Sequence, residues 1–204
     1  MKRVGCILVL ALCCSLAAAQ EVRRPAFRWG VEWGYGVTAF KYWSVNYLDP
    51  DIGYRVWDED HAFQAKSTAF ALICAGADLS DRINLSGQLG MMGIDKDREV
   101  IPVGVRLNYS FKGTDADGPL AFIGGGLGFP DHFTTAAVHY INLGGGYRLR
   151  LSSTWDIDFI ATFRLCDDHP PIRDPESGEY VNGSNIRKNV AAYCSLELGI
   201  AITL

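Results

Sequence analysis

Apolar and polar residues alternate along most of this chain, and the alternation predicts its secondary structure. Trp155, Ile157, Phe159, Ala161, Phe163 and Leu165 are interleaved with Asp156, Asp158, Ile160, Thr162 and Arg164. A period of two describes a strand with one greasy and one mostly polar face. The row Val190, Ala192, Cys194, Leu196, Leu198, Ile200, Ile202 and Leu204 repeats the pattern, with Tyr193, Ser195, Glu197 and Thr203 opposite. So do Val103 to Phe111 and Ile141 to Leu151. Applied throughout, the period predicts eight strands, near 28–43, 62–78, 82–93, 99–112, 119–129, 137–151, 154–166 and 189–204. Both faces of Ala69 to Ala77 are apolar, which sets the second strand apart, and the fifth is built around Gly124-Gly125-Gly126. No helical period of useful length appears.

The connections alternate in length. Long ones are expected near 44–61 and 167–188, and an intermediate one near 130–136. Turns are expected near 79–81, 113–118 and 152–153, where Gly, Ser and Asp collect. The connection near 94–98 is short. With an even strand count and a start on the periplasmic side, the long loops fall outside. That is how bacterial transmembrane barrels are arranged. Most segments also reach the roughly 9–11 residues a spanning strand needs. A sheet can cross hydrocarbon only by closing on itself, since every backbone polar group must find an internal partner. The expected fold is therefore all-β, a closed antiparallel up-and-down transmembrane β-barrel of about eight strands.

The N-terminus sharpens the compartment. Met1-Lys2-Arg3 is basic, Val4 to Leu16 is mainly apolar but too short to span a bilayer, and Ala17-Ala18-Ala19 supplies small residues before Gln20. This is the three-part pattern of a secretory signal. Residues 1–19 are expected to be cleaved, leaving 20–204 as one barrel domain. A lipidated Cys13 or Cys14 is the rival, but Leu12 and Cys13 precede them where a small residue belongs. Lys2 and Arg3 leave with the signal, so 17 of the 19 basic residues face 23 acidic ones. No basic patch for nucleic acid remains. Cys74, Cys166 and Cys194 are too few and too scattered for a disulfide framework or zinc; at most one pair could close.

The two rows carry different chemistry. Trp29, Phe111 and Trp155 fall at periplasmic strand ends, and Tyr42, Trp43 and Phe163 near external ends, where amphipathic rings suit the headgroup layer. The opposite row holds Glu32, Arg106, Arg148, Arg150, Asp156, Asp158, Arg164 and Glu197. Unpaired buried charge is costly, so both signs in one narrow lumen imply mutual pairing and a filled, polar interior.

On strand number, dyad pattern, loop asymmetry and the apolar last strand, the chain resembles the small eight-stranded outer-membrane barrels of the OmpA/OmpX type. The resemblance implies location in the bacterial outer membrane, contact with its lipid, and insertion by the barrel-assembly machinery. Many members end in a phenylalanine, whereas this chain ends Ile200-Ala201-Ile202-Thr203-Leu204. A secreted calycin, with the greasy row turned inward around an apolar ligand, shares the period and length. Against it stand the final strand without a following helix, Gly30-Val31-Glu32-Trp33 in place of a Gly-x-Trp start, and aromatics at strand ends.

Candidate chemistry is sparse. His139 falls on the greasy row with no serine two residues away, so no catalytic constellation for lipid modification is recognisable. Asp167-Asp168-His169 and Asp58-Glu59-Asp60-His61 group carboxylates of the kind calcium takes, without a full ligand spacing. Gly124-Gly125-Gly126 and Gly144-Gly145-Gly146 lack the strand–turn–helix setting of a phosphate loop, and glycine in barrel strands more often permits close packing. No cofactor is expected. Three functions stay open: a structural or surface-interaction barrel with an unknown external partner, a lipid-modifying enzyme, and a porin-like channel for very small solutes. An eight-stranded barrel is about wide enough to be filled by its own side chains, which favours the first.

Overall fold

The computed structural model describes residues 26–49, 53–95, 98–130, 136–173 and 178–204. Residues 1–19, expected as a leader, lie outside these with Cys13 and Cys14, as does most of 130–136. The eight strands are β1 (Phe27–Leu48), β2 (Arg55–Asp78), β3 (Ile83–Asp95), β4 (Arg98–Ser110), β5 (Gly118–Pro130), β6 (Val138–Arg150), β7 (Asp156–Asp168) and β8 (Ile186–Thr203). Each pairs antiparallel with its neighbours in sequence, and β1 closes the ring on β8. The fold is an all-β, up-and-down closed barrel.

Local chemistry makes the tight turns. Ser80 Oγ accepts the Ile83 N–H at 3.1 Å, and Ser152 Oγ accepts the N–H groups of Thr154 and Trp155 at 3.2 and 3.1 Å. Such hydroxyls stand in for ladder partners where the chain reverses. Gly113 sits at φ +113° between β4 and β5, a conformation that L side chains rarely adopt. These turns mark one end of the barrel, the turn end. The β1–β2 and β7–β8 connections mark the other, the loop end.

The ring is staggered. Passing from Gly30 across the ladders through Cys74, Gln88, Gly104, Gly126, Tyr140, Cys166 and Tyr193 returns to Lys41, well up the strand from the start. A stagger of this kind requires the strands to tilt about the barrel axis.

The greasy row faces outward. Phe159 is 48% exposed, and Val31, Ile73, Leu89, Val103, Ile141 and Leu198 are exposed with it. This overturns the calycin alternative, which needed that row inside. The three cysteines are free, with Cys166 turned inward and Cys194 on the outward row.

One stretch departs from expectation. Within 44–61, expected as a long loop, 44–48 and 55–61 are strand: β1 and β2 continue together as far as Leu48↔Arg55. β3 pairs with β2 from Phe70 to Asp78, so β1, β2 and β8 rise beyond the ring as a three-stranded extension. A β-bulge at Ala39 begins it. Thr38 faces Ser195 but Phe40 faces Cys194, so Ala39 is the extra residue, and the phase of β1 reverses beyond it. Ahead of the bulge the even positions are the buried ones; after it Val45 and Tyr47 are buried, with Ser44 enclosed beside them.

Candidate functional site

The lumen is layered from turn end to loop end. At the base, Arg28 donates to Asp78 at 2.7 Å, Asp156 at 2.9 Å and Asp115 at 2.6 Å. Arg148 makes a bidentate pair with Asp158, both contacts 2.7 Å, and donates to the Thr114 carbonyl at 2.9 Å. The turn after β4 is thereby drawn beneath the barrel and held by guanidinium groups. Arg150 departs from the expectation of a lumen charge. It lies at the mouth, donating to the carbonyls of Asp115, Ser152 and Ser153. At the level of Arg150, β6 has left β5 but still pairs with β7, so the side chain meets turn carbonyls and the Asp115 carboxylate, 3.6 Å away.

Above the base, Arg106 pairs with Glu32 at 2.6 Å and lies over the Phe122 ring at 4.9 Å. Arg164 pairs with Glu197, donates to Asn142 Oδ1 at 3.0 Å, and stands over the rings of Phe70 and Tyr140 at 5.7 and 5.9 Å. All four charged groups are buried. The wall admits these rings because its facing positions are glycine. A Cβ on Gly144 would strike Phe122, one on Gly104 or Gly126 would strike Tyr140, and one on Gly34 would crowd Phe70.

Above the charged layers the lumen carries an apolar layer, correcting the expectation of a polar interior throughout. Phe70, Leu72, Met92, Ile94, Val100, Val138, Tyr140, Cys166, Ala191 and Tyr193 form one buried cluster. The apolar second face of β2 supplies Phe70 and Leu72, the feature that had made this strand unusual in sequence. Beyond the cluster the polar groups resume. Arg98 grips Asp168 at 3.0 and 2.9 Å, and Lys66 reaches Asp95 at 2.9 Å. Lys41, 3.6 Å from Asp95, also lies over the rings of Trp43 and Tyr193 at 5.9 and 5.5 Å. A second apolar cluster, Val45, Tyr47, Ile172 and Val181, then joins the inner face of the extension to the β7–β8 connection.

The expected interfacial aromatics divide. Trp29, Phe111, Trp155 and Phe163 are exposed on the outer face. Tyr42 also points outward, donating to Glu59 at 3.0 Å beside the His61 ring at 4.9 Å. Trp43 does not. The bulge at Ala39 turns it inward, where it packs against both apolar clusters. Arg28, Asp78, Asp115, Arg98 and Asp168 were missed as lumen and mouth charges. Arg28 shares the parity of Glu32, which could have revealed it.

Strand alternation splits the carboxylate clusters. Asp58 and Asp60 lie on one face of β2 and Glu59 and His61 on the other. Asp168 points inward to Arg98, while Asp167 is exposed. No group of three metal-ligating side chains converges among the described residues. His139 stands opposite Asp167 on the outward face, and among the described residues no hydroxyl is hydrogen-bonded to its imidazole.

No protein-family model matches this chain, and no curated protein does. Solved outer-membrane barrels are similar to it in fold. Neisserial surface protein A is 12% identical with TM-score 0.47, the match covering 89% of this chain and 99% of that one. Outer membrane protein AlkL, solved in lipid bilayers, is 12% identical with TM-score 0.44, covering 91% and 94%. Outer membrane protease OmpT from Escherichia coli is 6% identical with TM-score 0.41, covering 91% and 99%.

Proposed function

We propose that the chain is an integral outer-membrane barrel with a closed lumen, which presents its loop-end extension to a partner outside the cell. The observation that carries this reading is the inversion of the barrel: an apolar outer surface around an interior of paired charges. Such a surface is stable against hydrocarbon, whereas a protein in water exposes only limited contiguous apolar area. The turn end then faces the periplasm and the extension faces outward. Two interior layers oppose a channel. The lower is cross-linked by Arg28, Arg148, Arg106 and Arg164 through their carboxylate partners; the upper is the apolar cluster around Phe70, Met92 and Tyr193. An ion would have to displace the first and lose its hydration in the second.

The test combines location and conductance. The protein should stay with outer membranes through a high-salt and alkaline wash. A cysteine replacing Tyr54, exposed at the tip of the β1–β2 hairpin, should react with an impermeant maleimide on intact cells. Purified refolded protein should give no stable single-channel currents in planar bilayers. Release by the wash refutes membrane integration, and reproducible currents refute the closed lumen.

A further inference from the structure

The three-stranded extension ends in an open edge. β2 pairs with β1 along Arg55–Ala77, yet its pairing with β3 begins only at Phe70. Gly93 of β3 still lies against Thr68 and Ala69, but along Arg55–Lys66 no strand pairs with the other side of β2 among the described residues. An open strand edge offers a row of backbone donors and acceptors to any extended chain of matching character.

The side chains along this edge specify that character. Asp58 and Asp60 stand on one face and Glu59 on the other, so carboxylates flank the edge above and below. All three are exposed, and Trp57 at 73% and Phe63 at 89% bracket them with bare aromatic surface. The segment's arginine and lysine, Arg55 and Lys66, lie at its two ends; Arg55 donates to Asn46, and Lys66 is held by Asp95. His61 lies 4.0 Å from the Glu59 carboxylate and leaves Asp58 and Asp60 to an incoming cation. A second copy of the chain is a poor occupant. Antiparallel self-pairing about a two-fold within Asp58–Asp60 sets like charges across from one another, which is destabilising in a sheet.

We propose that the free edge of β2, centred on Asp58-Glu59-Asp60, captures a basic extended segment of a partner protein by adding it as a further strand. This rests on the reading that places the extension outside the cell. Backbone hydrogen bonds hold the added strand. Lysine or arginine at alternate positions meets Asp58 and Asp60 on one face, and the apolar residues between them cover Trp57 and Phe63 on the other. A run of roughly six residues fills the acidic centre and both aromatic flanks.

The probe is a fluorescein-labelled ten-residue peptide of alternating lysine and valine, titrated by anisotropy into the full mature protein refolded in zwitterionic detergent. Barrel integrity is read separately from the shift in gel mobility on heating, so lost binding and lost folding are told apart. Saturable binding is expected, weakened at least tenfold in D58N/D60N protein and at least tenfold for the same peptide N-methylated at three successive central residues. Methylation leaves the charge but removes backbone donors, so electrostatic adsorption alone would not respond to it. Equal affinity of the methylated peptide overturns strand addition. Equal affinity of a glutamate–valine peptide overturns the basic specificity. A dimer in detergent that dissociates when the β2 edge is mutated overturns the choice of a foreign partner, and no binding to folded protein overturns the proposal while leaving membrane integration intact.

Discussion

Replacing Arg164 by methionine tests whether the middle of the lumen depends on pairing. Arg164 is 3% exposed and Glu197 4%. The guanidinium meets the Glu197 carboxylate, Asn142 Oδ1 and the faces of Phe70 and Tyr140. Methionine roughly conserves the stem but leaves a buried carboxylate without its cation. Breaking such a pair from one side costs about 3–5 kcal/mol. The lost ring contacts contribute about 0.5–2 kcal/mol more. The double variant Arg164→Met/Glu197→Leu removes the stranded charge as well, and replacing a buried pair by apolar residues is often close to neutral. The double variant should therefore be more stable than Arg164→Met alone, by about 3 kcal/mol, or roughly a hundredfold in the folding equilibrium. Urea titration in detergent micelles, followed by tryptophan fluorescence and heat-modifiable gel mobility, measures all the proteins in the cycle. A double variant no more stable than Arg164→Met, or an Arg164→Met protein within about 1 kcal/mol of the parent, refutes the argument.

Two further substitutions probe the wall. Phe159 is half-exposed on the outward face between Tyr147 and Ile200; Phe159→Arg sets a charge against hydrocarbon and should cost roughly 2–4 kcal/mol, and a loss below 0.5 kcal/mol in vesicle refolding would contradict a lipid-facing row. Gly144→Ala drives a methyl into Phe122 and the Ala161 carbonyl, whereas a Cβ on Gly87 lies 3.7 Å from its nearest neighbour. The first should destabilise by about 1–3 kcal/mol and the second by nothing measurable, so equal urea midpoints would show that the inner wall is not tightly packed.

The sequence made the rows legible where one face stays uniformly greasy, as along Ile157–Leu165 and Leu196–Ile202. It also brought the members of the charge network onto one row, because parity depends only on counting from a neighbour. Parity failed at Ala39. One extra residue shifts the phase of β1 beyond it, and the sequence carries no mark of it, so simple counting puts Trp43 outside. The partners of each charge were hidden too. Arg28 lies 128 positions from Asp156, and only the stagger of the ring brings them together. The apolar layer left a partial trace in Ala69 to Ala77, whose two greasy faces are the outward surface of the barrel and the Phe70 cluster within it.

Seven of the eight ladders join strands adjacent in sequence, and each can form as a local hairpin. The eighth, β1 with β8, joins Gly30 to Thr203 and Tyr47 to Ile186. Closing it brings together the two ends of the whole barrel domain, an entropic cost that no earlier pairing incurs at that scale. Until β8 arrives, the nascent sheet has two exposed margins in a medium that tolerates none. The last strand therefore works as a commitment step: its docking converts a stack of independently reversible hairpins into an object that can be undone only by breaking the ring.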